Sequence, residues 1–538
     1  VVPDRRDDRY VGRPLVSVAA APLTDLFAPQ GGSFLLSGNE ALVRAALVSG
    51  VGFASSYPGS PITEVQTGML EAAKKLGGLH AEWSVNEHVA VHAATGASWA
   101  GVRALVTMKQ VGLHVAADPC AYLAYAGVKG GLVLGVGLDP GATSSTGEFD
   151  VRWLAREMHW ILLEPGTVQE VYDFAVRAWA LSEETGMPVL IDMPTGLCHQ
   201  VAVVRCAPLP AERPAPGRFV PDVDSFVNVG GRAVKNHARL LERLRAVRAT
   251  GATWNQVEGG RGAKAIIAAG LQGPIAREIL AGLGVADTPL LVIAMSHPLD
   301  PAALRALRDA GVTEALVLEE LDGFLSHGLQ ALAHQQRLPM WIESVAGEDG
   351  LAAGILDYGA ARAKVAAFLG LPAPPAGFAS GPDMPIRPGT FCPGCSHRSP
   401  LFAIRRALGE TGVYGGDIGC SSLPPHASDW LTCMGSGLGI AQGVALASPG
   451  QKVVASIGDS TFYHSGMPVV LNAVQNGADL VLVVLDNGYV AMTGHQPTPG
   501  TDPARGGQPG VVPIAEALRG LGVTDLTDVS AFDLARVR

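Results

Sequence analysis

The clearest indication of the fold is the segment Val453-Val454-Ala455-Ser456-Ile457-Gly458-Asp459-Ser460, together with Leu485-Asp486-Asn487 further along the chain. An apolar run ends in Gly-Asp-Ser, and a second apolar run, from residue 480 to 485, ends in Asp-Asn. A helix-like stretch from about residue 468 to 475 separates them, so the pair predicts two parallel strands joined by a helix. Asp459 and Asn487 would then lie at the carboxyl ends of the strands, where open α/β sheets bind ligands.

Oxygen donors delivered in this way suit a hard cation such as Mg²⁺, which often bridges a protein to a diphosphate. Gly458 would let the backbone approach the phosphates closely. The alternative is that Asp459 and Asn487 only cap helices that follow the strands. The pattern resembles the diphosphate-anchoring motif of thiamine diphosphate enzymes, with Ser460 where that family usually has Gly or Ala.

Length and composition narrow the class of protein. A chain of 538 residues is too long for one core, and 48% hydrophobic with 16% charged residues is typical of a globular α/β protein. No apolar run reaches the length of a membrane span, and a net charge of −10 without a basic stripe argues against nucleic acid. Seven cysteines are too few for a disulfide scaffold, so we expect a cytoplasmic protein with reduced thiols.

Both ends of the sequence are unusual. The chain does not begin with Met, and it stops inside what reads as another β/α unit. We therefore expect a fragment, or a chain that lacks a C-terminal domain.

Strand-like and helix-like segments alternate along the chain, which predicts an α/β fold of three doubly wound parallel-sheet domains. Two Pro-rich stretches, about 207–222 and 371–377, read as linkers. The predicted divisions are an N-terminal lead at 1–32, a first domain at 33–206, a linker and helical connection at 207–261, a second domain at 262–370, and a third at 371–538 that we expect to be incomplete at its C-terminus.

Several further motifs, in the same order along the chain, resemble those of the thiamine-diphosphate-dependent 2-oxoacid:ferredoxin oxidoreductases. Within that family the similarity is greatest to the large (alpha) subunits of the indolepyruvate type, and it covers about residues 33–520. It implies that the first domain binds the pyrimidine of the cofactor and that the third binds its diphosphate. The second domain would resemble the transketolase C-terminal domain. The matching segments are 38–41 (GNEA), 57–64 (YPGSPITE), 86–87 (NE), 107–109 (TMK), 391–398 (FCPGCSHR), 417–420 (DIGC), 433–435 (CMG) and 491–497 (AMTGHQP).

The resemblance assigns roles to individual residues. It implies that the Glu87 carboxylate hydrogen-bonds N1′ of the aminopyrimidine. Glu87 precedes a predicted helix of small residues at 90–101, so the local alternative is a helix-dipole partner at a helix start. It also implies that Asp459 and Asn487 ligate Mg²⁺ through their side chains and Tyr489 through its carbonyl. The other cofactor-binding residues that it implies are Tyr57, Ser60, Gly435, Gly437, Gly458 and Ser460. For the glycines of 434–439, close helix packing is the alternative.

The Cys392-x-x-Cys395 pair, with Cys420 further on, resembles three of the four ligands of a [4Fe–4S] cluster. No cysteine follows Cys433, which lies too close to Cys420 to fit the family pattern as the fourth ligand. Either the chain is truncated or electrons leave by another route. Alternatively, Cys392 and Cys395 form only a tight turn.

Histidines 397, 426 and 495 lie in motif segments, and we expect His397 or His495 to hold a substrate carboxylate or move a proton. The family's usual Ser-Ser-Gln-Asn-Glu segment is replaced here by residues 144–148 (SSTGE), which puts substrate contacts there in doubt.

The implied reaction is the oxidative decarboxylation of a 2-oxoacid, an aryl pyruvate such as indolepyruvate, to the acyl-coenzyme A, with electrons passed to ferredoxin. The implied partners are a smaller beta subunit and a second copy of this chain. The first alternative is a non-oxidative decarboxylase or carboligase, which would keep Glu87, Asp459 and Asn487 but need no cluster. The second is a non-catalytic binding subunit, against which an intact Glu87 argues.

Overall fold

A seven-stranded sheet forms the core of the first part of this computed structural model, which describes residues 24–212, 214–346, 352–372, 389–423 and 428–537. The strands of this part are β1 (Gly32–Ser37), β2 (Phe53–Ser56), β3 (His80–Trp83), β4 (Ala104–Lys109), β5 (Leu132–Leu138), β6 (Ile161–Leu163), β7 (Val189–Pro194) and β8 (Val201–Cys206). The helices are α1 (Gly38–Val48), α2 (Thr63–Leu76), α3 (Glu87–Trp99), α4 (Gln110–Val115), α5 (Ala117–Ala126), α6 (Arg152–Glu157), α7 (Val168–Thr185) and α8 (Thr195–His199).

The order of the strands from β2 to β7 places a switch point in this sheet. The neighbours run β6-β7-β5-β4-β2-β3 and all pair in parallel. Strands β4 and β5 are buried along their whole length because helices cover both faces. The chain direction across the sheet reverses between β2 and β4, so the loops after these two strands border a crevice. Strand β1 pairs with β8 in a separate antiparallel ribbon.

A helical connection, α9 (Val223–Phe226) and α10 (Gly231–Arg248), leads to a second sheet with the order β14-β13-β10-β11-β9. Its strand β9 pairs antiparallel at one edge and lies inside the segment predicted as a connection. Strand β12 belongs to this second part of the chain, but it pairs antiparallel with β6 of the first sheet. The elements are β9 (Gln256–Glu258), β10 (Lys264–Ala269), α11 (Gln272–Gly282), β11 (Leu290–Ile293), β12 (Met295–His297), α12 (Pro301–Asp309), β13 (Glu314–Leu318), α13 (Phe324–Gln335), β14 (Trp341–Ser344) and α14 (Tyr358–Leu369).

The third part contains a parallel sheet of order β15-β16-β17 in the described residues and a short β18–β19 ribbon. The elements are α15 (Arg398–Leu408), β15 (Val413–Gly415), α16 (Ser436–Ala447), β16 (Val453–Gly458), α17 (Asp459–Thr461), α18 (Met467–Gln475), β17 (Val481–Leu485), β18 (Tyr489–Val490), β19 (Gln496–Pro497), α19 (Ile514–Gly520) and α20 (Leu534–Val537). The two strands predicted around Asp459 and Asn487 are therefore present and parallel.

Several expectations fall on residues outside these ranges, namely the lead from 1 to 23, most of the second Pro-rich linker (373–377) and His426. Within the described ranges, no helix combines the length and hydrophobicity that a membrane crossing requires. The parallel-rich sheets confirm the predicted α/β class.

Candidate active site between the first and third sheets

Glu87 lies where the first and third parts of the chain meet. It is the first residue of α3, and the Asn86 side chain caps that helix by accepting from the Val89 N–H at 2.9 Å. The helix therefore begins at Glu87 itself, whereas the sequence pattern predicted a start three residues later. The Glu87 side chain is 5% exposed, and its Oε2 lies 2.7 Å from Nε2 of His464.

His464 is a site residue that the sequence analysis missed. It belongs to a π-helical segment, Phe462–Gly466, between α17 and α18, and π-helical turns concentrate at functional sites. Its ring centroid lies 4.6 Å from that of Tyr57, and its main-chain carbonyl accepts from Asn86 Nδ2 at 3.0 Å. His464 Nδ1 is buried without a hydrogen-bond partner among the described residues. Only the fold, which joins residues 377 apart, could have identified it.

Tyr57 and Ser460 form a second link across the same boundary. Tyr57 directly follows β2 at the switch point of the first sheet, and its hydroxyl lies 2.5 Å from Ser460 Oγ. Burial raises the pKa of the Tyr57 phenol, so the hydroxyl stays protonated. Ser60, three residues further on, is half-buried in the same loop. The predicted residues Tyr57, Glu87 and Ser460 therefore come together at one interface.

Asp459 and Asn487 lie at the adjacent ends of two paired strands. Gly458, the last residue of β16, is in register with Leu485, the last residue of β17. Asp459 is 2% exposed, its Oδ1 accepts from the Ser460 N–H at 2.8 Å, and its Oδ2 is buried without a described partner. Burial, with Asp486 nearby, raises its pKa to about 7.

The loop that carries the remaining predicted oxygen ligands follows β17. Asn487 Oδ1 accepts from the Tyr489 N–H at 2.9 Å, and the Tyr489 hydroxyl donates to the Arg505 carbonyl at 2.9 Å. An unpartnered buried carboxylate oxygen beside an amide is a donor set that suits a hard cation, so these residues fit Mg²⁺.

The glycines predicted to contact the diphosphate lie at the start of α16. Gly435 has a φ of +85° and precedes the first helical residue, and its N–H donates to Asp417 Oδ1 at 2.9 Å. A Cβ on Gly437 would lie 2.7 Å from the Gly416 carbonyl oxygen, so close backbone packing requires this glycine. Asp417 is fully buried, and burial raises its pKa to about 6.

Among the described residues, the cysteine and histidine candidates form contacts with one another or with other neighbours, and no hydrogen bond joins them to Glu87. Cys420 lies near enough to Cys392 and Cys395 for their charges to affect it. Nδ1 of the buried His397 lies 3.7 Å from Cys395 Sγ, and burial lowers the pKa of His397. His495 is exposed, with its ring centroid 6.1 Å from that of Tyr489. In the described part of the chain, no three His, Cys, Asp or Glu side chains converge on a single metal position.

Two family models match the chain. Residues 417–536 match the thiamine pyrophosphate enzyme C-terminal TPP binding domain, and residues 44–228 match the thiamine diphosphate-binding domain of pyruvate flavodoxin/ferredoxin oxidoreductase. These matches include Asp459 and Asn487 in the first case and Tyr57 and Glu87 in the second.

The chain is also similar to whole proteins. It is 37% identical to the indolepyruvate oxidoreductase subunit IorA of Methanothermobacter thermautotrophicus, over 95% of this chain and 84% of that protein. It is 35% identical to IorA of Thermococcus kodakarensis, over 96% of this chain and 84% of that protein. In fold, it is similar to the 2-oxoglutarate:ferredoxin oxidoreductase of Magnetococcus marinus, with a TM-score of 0.51 and 17% identity over 63% of this chain and 66% of that chain. The chain therefore belongs to the family of the indolepyruvate oxidoreductase IorA subunits, thiamine-diphosphate-dependent 2-oxoacid:ferredoxin oxidoreductases.

Proposed function

We propose that this chain catalyses the oxidative decarboxylation of an aryl pyruvate such as indolepyruvate. The 2-oxoacid, coenzyme A and two oxidised ferredoxins give the acyl-coenzyme A, CO₂, two reduced ferredoxins and one proton. The names of the IorA relatives support this substrate class. The 2-oxoglutarate:ferredoxin oxidoreductase of similar fold was solved with coenzyme A and succinyl-CoA bound, which supports coenzyme A as the acyl acceptor.

The observation that carries the proposal is the buried Glu87 carboxylate, which faces the third part of the chain beside the Asp459–Asn487 edge. When bound, thiamine diphosphate supplies the electron sink on which a 2-oxoacid loses CO₂. Glu87 would hold a proton at N1′ of the cofactor's pyrimidine, and its contact with His464 would fix the direction of the carboxylate. Tyr57 and Ser60, in the loop after β2, would border the substrate.

Asp459 and Asn487 would hold Mg²⁺ through side-chain oxygens, and Tyr489 through its carbonyl. Asp459 Oδ2, which forms no hydrogen bond among the described residues, supports this assignment, because a buried carboxylate oxygen is costly when neither a donor nor a cation meets it. The start of α16 at Gly435 and Gly437, together with Gly458 and Ser460, would bind the diphosphate, since helix N-termini favour anions.

The three neighbouring thiols of Cys392, Cys395 and Cys420 are the candidate ligands of a [4Fe–4S] cluster. They fit a cluster only in part, because among the described residues no three His, Cys, Asp or Glu side chains, these thiols included, converge on a single metal position. His397, which contacts Cys395, belongs to this region, and the exposed His495 remains a candidate for substrate carboxylate binding at the rim.

The relatives are named as subunits, which supports a smaller beta subunit as partner, and we also propose a dimer of this chain. All seven cysteines are free, which supports a cytoplasmic location with reduced thiols.

Anaerobic reduction of ferredoxin or a viologen dye tests the proposal. The full-length protein and its partner subunit would be supplied with thiamine diphosphate, Mg²⁺, coenzyme A and indolepyruvate. We expect dye reduction that requires coenzyme A and falls by at least about 100-fold in Glu87→Gln, the scale of a lost acid–base contribution. Glu82→Gln is the matched control, since this carboxylate contacts only His80 and Ser84 in the part of the chain described.

Other outcomes separate the alternatives. Release of CO₂ without dye reduction would assign a non-oxidative decarboxylase. Bound thiamine diphosphate without turnover of any 2-oxoacid would assign a binding subunit.

A further inference from the structure

A cavity of about 50 Å³ lies between the first and second sheets, and none of its lining residues belongs to the candidate active site. One wall comes from the ends of β5, β6 and β7, and the other from the residues that follow β10 and β13. The carboxyl ends of parallel strands from two sheets therefore face each other across it. Such strand ends are where α/β sheets bind ligands.

The cavity is strongly acidic. Five carboxylates line it against a single cation, Arg152, and all of these side chains are buried except that of Glu320, which is half-buried. The carboxylates are those of Asp150, Glu164, Asp192, Glu319 and Glu320.

Three of the five carboxylates accept hydrogen bonds from neighbouring groups. Asp150 accepts twice from the Arg152 guanidinium, at 2.8 and 2.6 Å, and once from the Arg152 main-chain N–H, at 3.0 Å. Glu319 accepts from the first N–H groups of α13, at 2.8 and 3.2 Å, and Glu320 accepts from the Leu356 N–H at 2.9 Å. Arg152 Nη2 also donates to two main-chain carbonyls, and Arg152 Nη1 lies 4.0 Å from Glu164 and from Glu319, beyond hydrogen-bonding distance.

Three oxygens of the cavity wall form no hydrogen bond among the described residues, although the Ser296 hydroxyl lies near Glu164; the three are Glu164 Oε1, Asp192 Oδ1 and Gln272 Oε1. Each belongs to a side chain that is at least nine-tenths buried, with exposures of 7%, 6% and 5% respectively. Arg152 approaches Glu164 no closer than 4.0 Å. Buried acceptors without a donor, two of them carboxyl oxygens, are costly unless a proton or a cation lies between them.

We propose that this cavity binds one inorganic cation, held by the free oxygens of Glu164, Asp192 and Gln272. A volume of about 50 Å³ is close to that of one ion with a single water. Two carboxylates and an amide supply the oxygen ligands that hard cations take, with main-chain carbonyls or water completing the shell. Since Glu164 and Asp192 come from the first sheet and Gln272 begins α11 beside the second, the ion ties the two sheets together.

A shared proton is the competing occupant, because burial raises the pKa of both Glu164 and Asp192. Thermal unfolding of the full chain without thiamine diphosphate separates the two. The buffer would be choline chloride with a chelator, and K⁺, Na⁺, Ca²⁺ or Mg²⁺ would be added at constant ionic strength. We expect at least one of these cations to raise Tm by about 3 °C or more at saturation.

Three variants locate the effect. Asp192→Asn should lose the response to the cation, whereas Asp300→Asn, a buried helix cap outside the cavity, should keep it. Asp459→Asn should also keep it, which separates this site from the candidate Mg²⁺ site.

Crystals of the unaltered chain grown with Rb⁺ or Mn²⁺ provide a readout that needs no variant. An anomalous peak between Glu164 and Asp192 supports the proposal, and the ion that gives it tells a monovalent from a divalent site. A cation response that survives in Asp192→Asn, or an empty cavity in both crystals with stabilisation only on acidification, would overturn it.

Discussion

At the scale of single residues, the position of the Glu87 carboxylate depends on a glycine. A Cβ on Gly112 would lie 2.5 Å from Glu87 Oε1, and the carboxylate cannot easily yield because its other oxygen contacts His464. Gly112 lies in α4 and packs its bare Cα against the start of α3.

We predict that Gly112→Ala lowers turnover at least about 10-fold and destabilises the fold by about 1–3 kcal/mol, the usual cost of overpacking. Gly96→Ala is the matched control, because a Cβ at Gly96 in α3 meets nothing within 4 Å and should be neutral or slightly stabilising. Steady-state turnover and urea unfolding measure both effects. Equal turnover and equal stability of the two variants would show that the Glu87 carboxylate can shift to make room for the added Cβ.

Asp417 gives a prediction about pH. Its pKa is raised from an ordinary 3.8 to about 6, so between these values the folded chain binds a proton that the unfolded chain has lost. Stability should therefore fall as pH rises from about 4 to about 6, by up to about 3 kcal/mol from this group. Asp417→Asn, which still accepts from the Gly435 N–H, should remove that part of the slope. Urea unfolding of both proteins across this range is the measurement, and parallel pH profiles would contradict the prediction.

At the scale of elements, the candidate metal site is made by two strand ends and not by one motif. The pairing of β16 with β17 brings Gly458 into register with Leu485, and the polar residues that follow both strands meet at the sheet edge. The π-helical segment after α17 then turns His464 toward Glu87.

We predict that Asp459→Asn weakens Mg²⁺-dependent binding of thiamine diphosphate by at least about 10-fold while the chain stays folded, since a cation loses a charged ligand. Asp486→Asn is the control, because Asp486 is exposed and accepts only from the Gly488 N–H in the described structure. Calorimetric titration at fixed Mg²⁺ measures the affinities. Binding that is equally weakened in both variants would mean that net charge, rather than ligation, holds the diphosphate.

At the scale of the whole molecule, strand β12 joins the first two parts of the chain. It comes from the second part but pairs with β6 of the first sheet. Asn255 secures it by accepting from the N–H groups of Ala294 and Met295, at 3.0 and 2.9 Å, and donating to the Met295 carbonyl at 3.2 Å.

We predict that Asn255→Ala destabilises the chain by about 2–4 kcal/mol, because it leaves buried main-chain groups without partners. The exposed Asn476→Ala, which removes bonds only to Asn472 in the part described, should change stability by about 0.5 kcal/mol or less. Differential scanning calorimetry measures both, and a second, earlier transition in Asn255→Ala would show the two parts separating. An unchanged profile would show that β12 is held by its other contacts.

The sequence alone determined what depends on local pattern and chain order. Apolar runs ending in Gly-Asp-Ser and Asp-Asn predict strands and the sheet edge that they share, because side-chain periodicity and strand ends are local properties. The alternation of elements predicted the α/β class, and the motif order indicated the family. The predicted start of α3 was three residues too late, because the Asn86 side-chain cap sets the first residue of this helix.

The contacts between residues far apart in the chain depend on how the sheets and helices pack. His464 contacts Glu87 across 377 residues, Gly112 leaves room for that carboxylate, and β12 joins a sheet in another part of the chain. The acidic cavity likewise gathers Glu164, Asp192 and Gln272 from two sheets. None of these has a sequence signal, because burial, hydrogen bonding and charge balance at an interface depend on how whole sheets pack.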